Sequence, residues 1–163
     1  MHFRIFAALV ALIAFGAPAL SHKFSVGSIE IGHPWSRPTP PAAPVASGYV
    51  KLTNSGSDMD RLVEVRSLIS ARVEIHRSIV ESGIASMRPV DGGVDVPAGA
   101  TVDFEVEKLH LMFVEPSQQL KYGDRFVATL VFEKAGPVEV EFVVQRKAGE
   151  SAQQDHSGHG ATK

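Results

Sequence analysis

The sequence predicts an all-β domain, an antiparallel sandwich or barrel, and three observations carry that prediction. Apolar and polar residues alternate with period two in one short stretch after another, as in residues 72–79 and 101–107. Clusters of Gly, Pro, Asn and Ser interrupt these stretches about every 8–12 residues, the spacing of strand connections in sandwiches and barrels. No long stretch holds the 3.6-residue period of a helix.

The elements follow in order. Residues 24–31 alternate loosely and put Ile29 and Ile31 on one face. His33-Pro34-Trp35 opens an irregular stretch that continues through Arg37-Pro38-Thr39-Pro40-Pro41. Prolines this dense cannot donate to a sheet ladder and favour extended, unpaired backbone. Residues 48–53 read as a strand that stops at the turn Asn54-Ser55-Gly56-Ser57. Residues 62–67 alternate again, and residues 72–79 set Val73 and Ile75 against Glu74 and His76. Residues 84–90 form the next extended piece. Pro97-Ala98-Gly99 is a turn, after which Val102, Phe104 and Val106 alternate with acidic residues. Residues 110–114 are short and apolar. Residues 125–133 and 138–145 complete the domain, joined by Lys134-Ala135-Gly136-Pro137.

The two ends read differently. Arg4 precedes an unbroken apolar run over residues 5–15, and Gly16, Ala17, Pro18, Ala19, Leu20 and Ser21 follow as a small-residue cleavage region. Residues 1–21 therefore read as a secretory signal peptide, cut after Ala19 or after Ser21. The run falls short of the ~20 apolar residues of a membrane span. Residues 22–146 are the folded domain, and residues 147–163 carry no apolar face and read as a flexible tail. At 163 residues the chain has a one-domain length.

Composition excludes several function classes. A formal net charge of -2 offers no basic excess for nucleic acid. Cysteine is absent, so disulfides, thiolate metal sites and cysteine nucleophiles are all excluded. No Gly-x-Ser-x-Gly elbow, phosphate loop or His-Glu-x-x-His helix is present, and the chain is not expected to be an enzyme. Any metal must bind through His, Met, Asp or Glu.

Two His/Met pairs stand out. A hairpin turning at Glu81 and Ser82 sets His76 opposite Met87 on one side of the ribbon. In His110-Leu111-Met112, strand alternation sends the imidazole and the thioether to one face and Leu111 to the core. Thioether sulfur is soft and suits Cu(I), whereas zinc prefers Cys, His or carboxylate, and calcium and magnesium prefer oxygen. If the two ribbons adjoin, a site built from His76, Met87, His110 and Met112 is therefore expected to hold Cu(I) with four neutral donors.

The sequence also resembles a known family, the periplasmic copper chaperones of the PCu(A)C type. Their signature is a histidine, ten residues, a methionine, roughly twenty residues more, and then His-x-Met. Here His76 is followed by ten residues, Met87, 22 residues and His110-Leu111-Met112. The neighbourhood is similar too: residues 31–37 (Ile-Gly-His-Pro-Trp-Ser-Arg), Asp60-Arg61-Leu62-Val63, Met87-Arg88-Pro89-Val90, Val96-Pro97-Ala98-Gly99 and Gly123-Asp124. The resemblance runs from about residue 29 to residue 144. It implies a cupredoxin-like Greek-key β-barrel and a periplasmic location. It further implies delivery of Cu(I) toward the copper site of cytochrome oxidase, with the oxidase copper subunit or a Sco-type protein as partner. A copper buffer or resistance protein with no specific recipient is the alternative. Trp35, Arg37, Tyr49, Asp60 and His33 read as structural.

A second copper role is expected at the ends. Extended tails in some relatives are rich in His and Met and are linked to a second copper site. This tail has His156 and His159 beside Asp155 but no methionine, a donor set that favours Cu(II). Cleavage after Ser21 would leave His22 as the first residue, whose amine and imidazole could chelate Cu(II).

Overall fold

A computed structural model of the chain describes residues 24–106 and 108–146. The alternating stretches become strands β1 (Phe24–Val26), β2 (Ile29–Ser36), β3 (Val45–Asn54), β4 (Asp60–Ser67), β5 (Arg72–Glu81) and β6 (Ile84–Pro89). They continue as β7 (Val94–Val96), β8 (Thr101–Asp103), β9 (Leu109–Val114), β10 (Arg125–Phe132) and β11 (Gly136–Val144). Among the described residues there is no helix, hence none long and apolar enough to cross a membrane.

Three local readings change. Residues 24–31 are not one strand, because Gly27 takes φ 55° and turns the chain so that Val26 pairs Ile29. His33-Pro34-Trp35 does not break the next strand. β2 runs through it with an irregularity between Gly32 and Trp35, His33 sitting at φ 48°. The side-chain amide of Gln145 donates to His33 Nε2 at 2.8 Å, which gives this histidine the structural role expected of it. The β5–β6 hairpin turns at Ser82 and Gly83, not at Glu81 and Ser82, since those two residues hold φ 53° and 79°. Positive φ at both central residues is the type I′ turn, whose twist matches that of the strands it joins. The proline-rich stretch lies outside the strands, tied down by the Thr39 amide donating to the Leu120 carbonyl at 2.9 Å.

The strands form one sheet in the order β6-β5-β9-β3-β2-β11-β10-β4-β7, with β1 on β2 and β8 on β3. Every pairing is antiparallel except β2 with β11, which sets the second and last strands side by side. The sheet curls around a single core. Phe113 of β9 meets Phe126 of β10 edge-on at 5.2 Å between centroids and Phe142 of β11 at 5.8 Å, while Phe126 and Phe142 stack at 5.3 Å. Ile31, Leu52, Leu62, Leu111 and Leu130 fill the space around them.

Asp60 closes one end. It is 5% exposed and accepts backbone N–H bonds from Arg61 (2.7 Å), Lys134 (2.9 Å) and Ala135 (2.9 Å), tying the β10–β11 turn to the start of β4. Burial alone would raise its pKa. The three backbone donors outweigh burial and, with the Lys134 charge, hold the carboxyl below its ordinary 3.8. A lowered folded pKa contributes stability that is present above that ordinary value and is lost as pH falls through the folded one. Asp60→Asn, which turns an acceptor into a donor facing these amides, should destabilise the protein by about 2–3 kcal/mol at pH 7. Urea melts at descending pH should show the deficit shrinking in acid. A deficit independent of pH would refute the role of the charge.

Candidate metal centre

Strands β6, β5 and β9 lie side by side and carry the four residues of the sequence motif on one face. On the β5–β9 ladder His76 stands directly opposite His110 and Glu74 opposite Met112. Ile75 and Leu111, the intervening pair, point into the core and are buried. That alternation fixes the outward direction of both histidines and of Met112. The two imidazole centroids are 6.0 Å apart.

Met87 is placed differently from the sequence expectation. Because the hairpin turns at Ser82-Gly83, His76 pairs Pro89, and Met87 pairs Ser78. Met87 keeps the same face as His76 but takes the diagonal position on the edge strand. Met112 lies two strands away and four residues along, roughly 17 Å on a flat ladder. His76, His110 and Met112 thus form the compact part of the motif. Met87, 62% exposed, is its outlying member.

The hydrogen bonds of the two rings leave one free nitrogen on each. His110 is 4% exposed, and its Nδ1 lies 3.3 Å from the Lys108 carbonyl. A carbonyl only accepts, so Nδ1 carries the proton and Nε2 the lone pair. His76 Nε2 lies 2.8 Å from Glu74 Oε2. A carboxylate also only accepts, so Nε2 carries a proton, and in the neutral ring Nδ1 keeps the lone pair. His76 Nδ1 and His110 Nε2 are both buried without a hydrogen-bond partner. A buried polar atom left unpaired costs about 1–3 kcal/mol. Two such lone pairs on facing rings are what a metal ion would satisfy. Burial, aided by the nearby His76, holds the His110 pKa below its ordinary 6.5 against the opposing Lys108 carbonyl, so this ring is a neutral donor at pH 7.

Among the described residues no group of three or more His, Cys, Asp or Glu is placed to hold an ion. The thioethers of Met112 and Met87 are the further soft donors that this face offers beside the two imidazoles. Two neutral nitrogens with thioether sulfur suit a soft, singly charged ion.

A family model described as LpqE-like matches residues 29–144, most of the chain. The chain belongs to the LpqE-like family. Among solved structures, this LpqE-like protein is similar to the copper-bound PCuAC domain of PmoF2, at 28% identity and TM-score 0.67, covering 77% of this chain and 99% of that one. The apo PCuAC domain of PmoF1 matches at 25% identity and TM-score 0.65, covering 77% and 100%. The solution structure of CuI-DR1885 from Deinococcus radiodurans shares the fold at 20% identity and TM-score 0.59, covering 79% and 84%. These likenesses agree with the cupredoxin-like architecture expected from the sequence. Protein RP573 of Rickettsia prowazekii (strain Madrid E) is 29% identical over 109 residues, which span 65% of this chain and 60% of that protein's length.

Alternation alone did not single out Glu74 and Arg72. Arg72 Nε lies 2.9 Å from Glu74 Oε1, so Arg72, Glu74 and His76 form a chain along one face of β5. Their spacing at i, i+2 and i+4 in a strand was the available signal. Trp35 and Tyr49 stack with centroids 4.4 Å apart, and Tyr49 lies two residues along β3 from Ser47, the partner of Met112. The signal peptide expected at 1–21, the tail expected at 147–163, and His22, His156 and His159 lie outside the described residues.

Proposed function

We propose that this LpqE-like protein is an exported copper chaperone that holds Cu(I) on His76, His110, Met112 and Met87. The observation that supports it best is the pair of buried, unpartnered imidazole nitrogens on His76 and His110, which share a sheet face with Met112. Copper-bound relatives of the same fold support copper as the cargo. Both thioethers are neutral and soft, so the set favours Cu(I) over Cu(II) and grips less firmly than thiolate would. Met87, exposed on the sheet edge and outside the compact three, is the donor that a recipient would displace first. We place the protein in the periplasm, with an oxidase copper subunit or a Sco-type protein as that recipient. Cu(II) capture by His22 and by His156 with His159 is a further part of the proposal.

Delivery, as distinct from storage, has a direct test. The mature protein loaded with one equivalent of Cu(I) is mixed with an apo oxidase copper domain, alone and together with a Sco-type protein. Metallation of the domain, read from its optical spectrum after ferricyanide oxidation because Cu(I) is colourless, is the expected result. Copper retained by the donor in every mixture would leave a buffer without a specific recipient as the correct reading.

A further inference from the structure

We infer that Glu74 decides which nitrogen of His76 faces the metal, and that Arg72 holds Glu74 to that task. The inference rests on His76 being a ligand, as proposed above. Each carboxylate oxygen of Glu74 has one partner: Oε1 is ion-paired with Arg72, whose Nε lies 2.9 Å away, and Oε2 accepts from His76 Nε2 at 2.8 Å. Oε2 can only accept, so it locks a proton on Nε2, and in the neutral ring, the form that can bind a metal, Nδ1 is left bare. His110 solves the same problem in the opposite sense, through a backbone carbonyl at its Nδ1. The two facing rings therefore present different nitrogens, Nδ1 from His76 and Nε2 from His110. Partners behind a ligating histidine set its tautomer and ring orientation and strengthen it as a donor. Glu74 is a positioning residue in this sense.

Arg72 gives the inference a specific signature. Its guanidinium only donates. In Glu74→Gln the amide must therefore turn its oxygen to Arg72 and its NH2 to His76. That NH2 needs an acceptor, so His76 Nε2 gives up its proton, Nδ1 takes one, and the metal-facing position is capped. The near-isosteric change should thus do more harm than Glu74→Ala, which leaves the ring free to choose.

Long-range 1H–15N NMR of the full chain without metal reads both tautomers. The expected result is Nε2–H for His76 and Nδ1–H for His110. Glu74→Gln should convert His76 to Nδ1–H and weaken Cu(I) binding about 10–100-fold, with Glu74→Ala in between. Adding Arg72→Ala to Glu74→Gln lets the amide rotate, and should restore the Nε2–H signal and most of the affinity. An Nδ1–H signal for His76 in the unsubstituted protein overturns the inference, as does a Glu74→Gln variant with an unchanged tautomer. Cu(I) that binds without shifting either ring would sink the ligand assignment itself. That failure is distinguishable, because the tautomers are read before copper is added.

Discussion

Replacing Met87 and Met112 together by isoleucine should lower Cu(I) affinity by more than about 100-fold, because residues one layer behind a metal already cost about 10–100-fold and these are proposed direct donors. Isoleucine keeps a similar volume and suits a strand, so the sheet should survive. What remains is a pair of imidazoles with no soft donor, a set that no longer prefers Cu(I). The two single variants should not be equal. Met112 shares β9 with His110, whereas Met87 stands on the edge strand opposite Ser78, outside the compact group. Met112→Ile should therefore carry most of the loss. Competition against a chromophoric Cu(I) chelator under reductant measures all three. Affinity unchanged in the double variant would remove both thioethers from the site.

Phe113→Ala should destabilise the protein by about 3–5 kcal/mol, the range for deleting a large aromatic from a packed core. Phe113 is fully buried on the reverse side of β9 from His110 and Met112, and its ring bridges to Phe126 and Phe142 of the last two strands. The pocket is shaped for that ring: a Cβ added at Gly48 would lie 2.6 Å from Phe113 Cε2. No neighbour can readily collapse into the space a truncation leaves. Urea denaturation should show the midpoint falling with little change in slope. The folded fraction should still bind Cu(I) through the outward face. A loss below about 1 kcal/mol would mean the core relaxes around the cavity in a way the tight packing at Gly48 argues against.

Much of this architecture is legible in the sequence, and the failures have physical causes. Period-two alternation located β3, β4, β5, β10 and β11 because each has one face in the core and one in solvent. β7 went unread because Val94–Val96 is too short to show a period. The hairpin register differs from the sequence expectation because positive φ falls at Ser82 and Gly83 rather than at Glu81 and Ser82. That slip, by two residues, kept Met87 on the correct face while moving it off His76. The meeting of His76 with His110 is a non-local pairing between β5 and β9, and no local pattern specifies which strands become neighbours. Only the spacing shared with a known family brought the two His/Met pairs together in advance. Glu74 was passed over as the polar half of an alternation, although its charge sits between Arg72 and His76 on one face.

The parallel seam between β2 and β11 has a consequence for the order in which the molecule becomes useful. Val143 and Val144 must return to Trp35 and Ser36, more than a hundred residues back along the chain. Long loops of this kind close late, because their entropy is lost before their contacts form. Phe142, which supports the back of β9 through Phe113, arrives with that same last strand. If the chain is exported unfolded, N-terminus first, as proposed above, it carries all four proposed donors across before it has the scaffold that aims them. Copper competence is a property of the completed fold, and a half-emerged chain offers the ion only scattered histidines and methionines.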